Sequence, residues 1–163
     1  MNVEVFKFLV INDNINFGYM ISNFGTIINV EKDNRILKQS NSNGYKVVRI
    51  CDKLQLVHRL VLVSFLGNKE HHMCDHINGM KDDNRLQNLR WATSGENNMN
   101  RKLGRQGHKG VSYNKKCNKY VSYITCGGIR RYLGLFEDIN DAKIAYNNKA
   151  LELFGKFAKL NEI

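Results

Sequence analysis

The chain has 163 residues, 42% of them hydrophobic, a formal net charge of +10 and a pI of about 9.5, which allows one domain or two to three small ones. Such a basic balance points to a polyanionic partner, nucleic acid before others. Apolar runs such as Leu60-Val61-Leu62-Val63 are far too short to span a bilayer, so no membrane partner is expected.

In chain order, residues 1–57 read as short strands and turns. Tyr19–Ser22 and Thr26–Val30 flank a turn at Asn23-Phe24-Gly25, and Ser42-Asn43-Gly44 leads into a strand over Tyr45–Ile50. No catalytic grouping is visible in this part. Residues 57–66 read as a helix with Leu60, Val61, Ser64 and Phe65 on one face and Gly67 as its stop. Leu89–Ala92 is a short strand. Thr93 and Glu96 form a capping box opening a helix to about Leu103. Gly104, Gly107 and Gly110 punctuate a basic linker. Three strands follow, over Gly110–Asn114, Lys119–Cys126 and Ile129–Phe136, with Gly127-Gly128 as a two-residue turn. Asp138 caps a helix to about Phe154, with Ala142, Ala145, Tyr146, Ala150 and Leu153 as its apolar stripe and Gly155 as its stop.

The charge is uneven. Residues 1–98 hold 12 Lys/Arg against 10 Asp/Glu, whereas residues 99–132 hold nine Lys/Arg and no acid, which is the footprint of a binding surface. The four cysteines, Cys51, Cys74, Cys117 and Cys126, form no CxxC pair and suit reduced thiols in a cytosol. The N-terminus lacks a basic stretch leading into an apolar one, so no signal peptide is expected.

The densest chemistry lies between residues 75 and 97. Hydrolysis of a phosphodiester needs a base for the water, an electrophile for the phosphorane charge, and neutralisation of the leaving oxygen. One hard cation supplies the last two. Asp75 offers a carboxylate and Asn97 an amide oxygen, ligands suited to a single Mg²⁺ or Mn²⁺ completed by water. His76 is the candidate base, since imidazole titrates at about 6.5. An extended backbone turns it away from Asp75, unless a twist brings both to one site. Asn88 is placed to steady it by bridging backbone groups of the loop that carries His76. Each of the four has an ordinary alternative as a turn former, cap or surface residue, and only the ordered set is informative. His71, His72, Cys74 and His76 also offer zinc ligands, but structural zinc takes two separated pairs and Cys51 and Cys117 are solitary.

The run His58-Arg59-Leu60-Val61…Phe65…Asp75-His76-Ile77-Asn78-Gly79…Asp83-Asn84-Arg85…Asn88-Leu89-Arg90-Trp91…Glu96-Asn97 resembles the HNH nucleases, in particular their homing-endonuclease branch. The resemblance implies two strands and a helix around one divalent ion, with His76 as general base, Asp75 and Asn97 as metal ligands and Asn88 steadying the base. It gives no role to His71 or His72. Residues 15–57 look like the small module that commonly precedes this unit. The C-terminal stretch, through Gly110-Val111, Lys119–Ile124, Tyr132–Phe136, Ala142…Ala145-Tyr146 and Phe154-Gly155…Ala158…Leu160-Asn161, is similar to the plant Apetala/ethylene-response DNA-binding domain. That likeness implies a three-stranded sheet backed by one helix, with the open face in the major groove. Its binding positions fall on Ser112, Asn114, Tyr123, Thr125, Arg130 and Tyr132.

Alternation on the middle strand puts Val121, Tyr123 and Thr125 on one face and Tyr120, Ser122 and Ile124 on the other, against the helix. The first face is then free, flanked by Lys115, Lys116, Lys119 and Arg131 for phosphates, with Arg130 as a guanine reader.

The expectation is an α+β protein in three parts: a β-rich DNA-docking module over 1–57, a nuclease unit over 58–103, and a basic linker with a DNA-binding domain over 104–163. It would be a site-preferring DNA endonuclease of a mobile element, nicking double-stranded DNA with Mg²⁺ or Mn²⁺. It would need no obligate protein partner and would work in the cytoplasm of a bacterial or phage-infected cell. The rivals are a DNA-binding regulator with a degenerate nuclease unit and a zinc-stabilised nucleic-acid adaptor.

Overall fold

The structure is a computed structural model that describes residues 3–99 and 107–163. The chain is α+β and divides into two compact units, Met1–Ser94 and Gly95–Ile163. Gly104 and the expected helical residues 100–103 lie outside the described residues.

The first unit opens with an antiparallel four-stranded sheet, β1 (Phe6–Ile11), β2 (Asn14–Ser22), β3 (Ile27–Asn29) and β4 (Arg35–Ile36). A three-stranded sheet follows, β5 (Ser40–Ser42), β6 (Tyr45–Ile50) and β7 (Lys53–Leu56). Its hairpins and that of β1–β2 turn on residue pairs held at positive φ: Asn12-Asp13, Asn43-Gly44 and Cys51-Asp52. Asn, Asp and Gly tolerate that conformation, and the mirror-image turn it produces matches the strand twist. Helix α1 (Val57–Leu66) ends at Gly67, and β8 (Met73–His76) pairs with β9 (Leu89–Ala92) as a two-stranded ribbon.

The sequence separates residues 1–57 from the middle segment, but in the structure they share one core. Leu9, Ile21 and Ile27 from the first sheet pack with Val48, Ile50, Val57, Leu60, Val61, Leu62 and Leu89. Two further contacts pin them together. The Ser64 hydroxyl accepts a hydrogen bond from Val10 N at 3.0 Å. A Cβ on Gly25 (φ 88°) would meet Asn84 Cβ at 3.1 Å and Val57 Cγ1 at 3.2 Å, so the β2–β3 turn and the loop before β9 come as close as glycine permits.

In the second unit, β10 (Val111–Asn114), β11 (Lys119–Cys126) and β12 (Ile129–Phe136) form an antiparallel sheet covered on one face by α3 (Ile139–Phe154). Gly127 and Gly128 make the β11–β12 turn at φ 59° and 78°. Asp138 caps α3, its carboxylate accepting from Asn140 N at 2.6 Å. Ala142, Tyr146, Ala150 and Phe154 pack with Val111 and Ile124. The end of the chain is tied in by a buried amide exchange: Asn147 Nδ2 donates to Asn161 O at 2.9 Å and Asn161 N to Asn147 Oδ1 at 2.8 Å. A Cβ on Gly110 (φ 66°) would fall 2.1 Å from Tyr123 O and 2.3 Å from the Tyr146 ring. Gly110→Ala should therefore cost well over about 1 kcal/mol, read as a lowered midpoint in a thermal melt, because a main-chain atom cannot swing aside.

Candidate active site

The β8–β9 ribbon sets the register of the candidate residues: Asp75 lies opposite Arg90 and His76 opposite Leu89. Alternation along β8 sends the two side chains to different sides. Asp75 takes its cross-strand neighbour, with Arg90 Nε 2.7 Å from Asp75 Oδ2, the carboxylate buried and the arginine partly so. His76, 6% exposed, turns toward the core side with Leu89 and Cys74. Its Nε2 lies 3.3 Å from Asn84 Oδ1.

Asn88 ends the short 3₁₀ turn Leu86–Asn88 and binds both ends of the loop that follows His76. Its Oδ1 accepts from Asn78 N at 3.0 Å, its Nδ2 donates to Asp83 O at 2.8 Å, and its carbonyl accepts from Ile77 N at 2.8 Å. Within that loop Asp83 takes Arg85 in a two-point ion pair, 2.7 and 2.6 Å, which holds the Asp83 carboxyl down at about 2. Asn97 sits on the short helix α2 (Ser94–Met99), within the second unit.

Three residues at this site carry no role in the motif itself. His58, in the first turn of α1, packs its ring edge-on against His76 with centroids 5.0 Å apart. Tyr45, the first residue of β6, lies 5.0 Å from the His58 ring and 6.1 Å from that of His76. Asn84 is buried against the histidine nitrogen. His58 and Asn84 stand inside the motif-bearing run, but nothing in their spacing says that they meet His76. Tyr45 belongs to a different sheet and gives no local signal.

His58 is titrated far below its ordinary 6.5, to about 4, first by burial and then by the charges of His76 and Arg59. A base with a depressed folded-state pKa binds its proton later than the unfolded chain does. The stability it permits is therefore present above about 6.5 and lost as pH falls towards about 4. Over that window on the order of 3 kcal/mol should disappear. His58→Phe should remove this part of the slope, measured by urea melts at pH 7 and pH 5.

Among the described residues no group of three or more His, Cys, Asp and Glu converges as a metal cage. Burial, and then Asp75, push the Cys74 thiol up to about 12, far from the thiolate that zinc takes. Asp75 and Asn97 are each hard oxygen donors of the kind taken by Mg²⁺ or Mn²⁺, ions that keep several waters and need only one or two protein carboxylates.

On the C-terminal sheet, Ser112, Asn114, Lys115, Lys116, Thr125, Arg130, Arg131 and Tyr132 are exposed, and Tyr123 is half-buried. Tyr123 and Tyr132 pair across strands with rings 5.5 Å apart, and the Arg130 guanidinium lies 3.9 Å over the Tyr123 ring. Lys119 is ion-paired to the exposed Glu137 at 3.3 Å. Two expectations are corrected. Arg131 lies opposite Ile124, whose side chain packs against α3, so Arg131 shares the helix side of an edge strand and does not flank the other face. Val121, opposite Ser112 and Leu135 on the face expected to be free, is only 6% exposed.

Known proteins share both the sequence and the fold of this region. Residues 55–99 match the HNH endonuclease family. Residues 16–51 match the NUMOD4 motif. The chain is 44% identical over 87 residues to an uncharacterised HNH endonuclease of Acanthamoeba polyphaga mimivirus, covering 48% of this chain and 22% of that protein. It is 34% identical over 91 residues to the DNA endonuclease I-HmuI of Bacillus phage SP01, covering 51% of this chain and 52% of the relative. A second uncharacterised mimivirus HNH endonuclease is 32% identical over 123 residues, 74% of this chain and 64% of that one. The chain thus spans between about a fifth and two thirds of the curated relatives it matches. A solved structure of the HNH homing endonuclease I-HmuI, concerned with DNA binding and cleavage, has the same fold, with a TM-score of 0.51 at 23% identity, covering 92% of this chain and 91% of the other. Among the described residues no helix is long and apolar enough to cross a membrane.

Proposed function

We propose that this protein is a DNA endonuclease of the HNH homing type that hydrolyses one phosphodiester bond of a preferred site in double-stranded DNA and leaves a nick. The observation that carries the reading is the buried His76, held on a strand pair beside the buried carboxylate Asp75, within the segment that matches the HNH family.

In this mechanism His76 accepts the proton of the attacking water. With its Nε2 hydrogen donated to Asn84 Oδ1, His76 would keep its basic lone pair on Nδ1 for the water. Asn88 keeps the loop after His76 closed through its two backbone bonds. Asp75 and Asn97 would hold one Mg²⁺ or Mn²⁺, which when bound neutralises the phosphorane and leaving-group charge. Arg90 orients the Asp75 carboxylate through the contact to Oδ2.

The address is assigned to the C-terminal sheet, in the manner of an Apetala/ethylene-response-type domain. Tyr123, Tyr132, Thr125, Ser112, Asn114 and Arg130 face the groove, and Lys115, Lys116 and Lys119 meet phosphates. Neutralising Lys115, Lys116 and Lys119 should flatten the log–log salt dependence of duplex binding by roughly 0.9 for each phosphate that no longer meets a lysine, measured by fluorescence anisotropy. An unchanged slope would take these lysines out of the interface.

A second reading, a DNA-binding regulator with a degenerate nuclease unit, draws on the Asp75–Arg90 ion pair, which already neutralises the candidate metal ligand. Nicking of supercoiled plasmid in Mg²⁺ or Mn²⁺ separates the two. Cutting by the wild type well above that by His76→Ala supports the nuclease, and equal traces from both support the regulator.

A further inference from the structure

Tyr123 lies on the central strand of the C-terminal sheet, and two side chains of β12 meet its ring. Tyr132 is directly opposite, with ring centroids 5.5 Å apart and 59° between planes. Arg130 opposes Thr125 and so reaches Tyr123 on the diagonal, its guanidinium carbon 3.9 Å from the ring centroid. At that distance the guanidinium lies flat on the ring, because an edge-on approach would drive an N–H into it. The stack does little to hold the sheet together, since Arg130 is exposed and a cation over a ring is worth little in water. What it fixes is a direction.

An unrestrained arginine spreads its N–H donors over many rotamers, whereas a stacked one presents them in a single plane. Those donors are not spent on an acid. Arg85 and Arg90 are taken up by Asp83 and Asp75, but among the described residues no carboxylate pairs with Arg130, and residues 99–132 contain none. A fork held in one plane suits one kind of acceptor. Phosphate oxygens are arranged tetrahedrally and accept from many directions, so a swivelling lysine serves them too. Guanine O6 and N7 lie side by side in the base plane and take a bidentate pair only from a fork aligned with that plane.

We propose that Tyr123 is a positioning residue: its ring, braced by Tyr132, is the platform that orients the Arg130 guanidinium, and through it the second unit tells guanine from the other bases at one position of its site. This rests on the reading of the C-terminal sheet as the address. Tyr123 thereby acts on sequence preference through Arg130 and adds little to affinity for DNA at large.

The test is selection by the full chain from a pool of random-sequence duplexes, with divalent ions chelated so that no strand is cut. The wild type should enrich a motif with a fixed guanine, and changing that guanine to adenine should weaken binding about 10-fold or more, read by fluorescence anisotropy. Tyr123→Leu and Arg130→Lys should bind the two duplexes alike and keep their affinity for unselected DNA. Tyr123→Phe, which retains the ring, should discriminate as the wild type does. A full guanine preference in Tyr123→Leu, or its loss in Tyr123→Phe, would overturn the platform, and a full preference in Arg130→Lys would take Arg130 off the base. Should Tyr123→Leu fail to fold, the proton spectrum of the wild type decides, with the Arg130 methylene protons assigned by their loss in Arg130→Lys. Protons displaced upfield by the ring support the platform, and undisplaced ones overturn it. A wild type that enriches no sequence would overturn the guanine assignment together with the reading of the sheet as the address, an outcome distinct from a motif that the variants leave unchanged.

Discussion

His76→Ala is expected to lower the rate of plasmid nicking by about 10²- to 10⁴-fold at saturating Mg²⁺, the range that a positioned general base contributes. Affinity for the same duplex, read by gel shift, should stay at the wild-type value. The separation follows from where the groups sit. His76 is buried, whereas Lys115 and Lys116, the candidate phosphate contacts, are exposed in the other compact unit. Removing the imidazole also leaves space beside Tyr45 and His58, so a thermal melt belongs with the assay. A rate loss without a matching loss of fold assigns the effect to chemistry. Binding that falls in step with cutting would count against the assignment.

Asp75→Ala should abolish cutting and also destabilise the first unit by roughly 1–3 kcal/mol, because the partly buried Arg90 guanidinium loses its carboxylate acceptor. The activity loss alone is therefore ambiguous. Asp75→Asn, which keeps an oxygen for Arg90, should recover part of the stability and little of the activity. Replacing both residues, Asp75→Ala with Arg90→Leu, removes both members of the ion pair and should restore part of the melting temperature while the protein still fails to cut. A double variant that cuts would show that Asp75 serves the fold and not the reaction. A double variant no more stable than Asp75→Ala alone would show that the ion pair is not what its removal costs.

Most of the elements were legible because each has a local cause. Gly67 after an apolar run stops α1, Asp138 before one starts α3, and Gly127-Gly128 between alternating strands closes a hairpin. The apolar stripe of α3 was readable for the same reason, its side chains obeying a period of 3.6 along the chain, whereas the strand Met73–His76 was not read from periodicity and came only with the family resemblance. The face of the C-terminal sheet was read less well. Alternation alone places Val121 in the open, yet it is buried, and the same alternation along β12 sends Arg131 to the face opposite that of Arg130, with Ile124.

The sequence by itself determined the chemistry within reach: an acid beside a histidine, two asparagines downstream, and a run of positive charge without acids toward the C-terminus. Those are properties of residue type and order, and folding does not alter them. Only the tertiary structure decided the company these groups keep. It put Arg90 on Asp75, brought the rings of Tyr45 and His58 against His76, and merged the N-terminal strands and α1 into one core. Such contacts join residues far apart along the chain, and they form because separate apolar faces must be buried together, which no local pattern records.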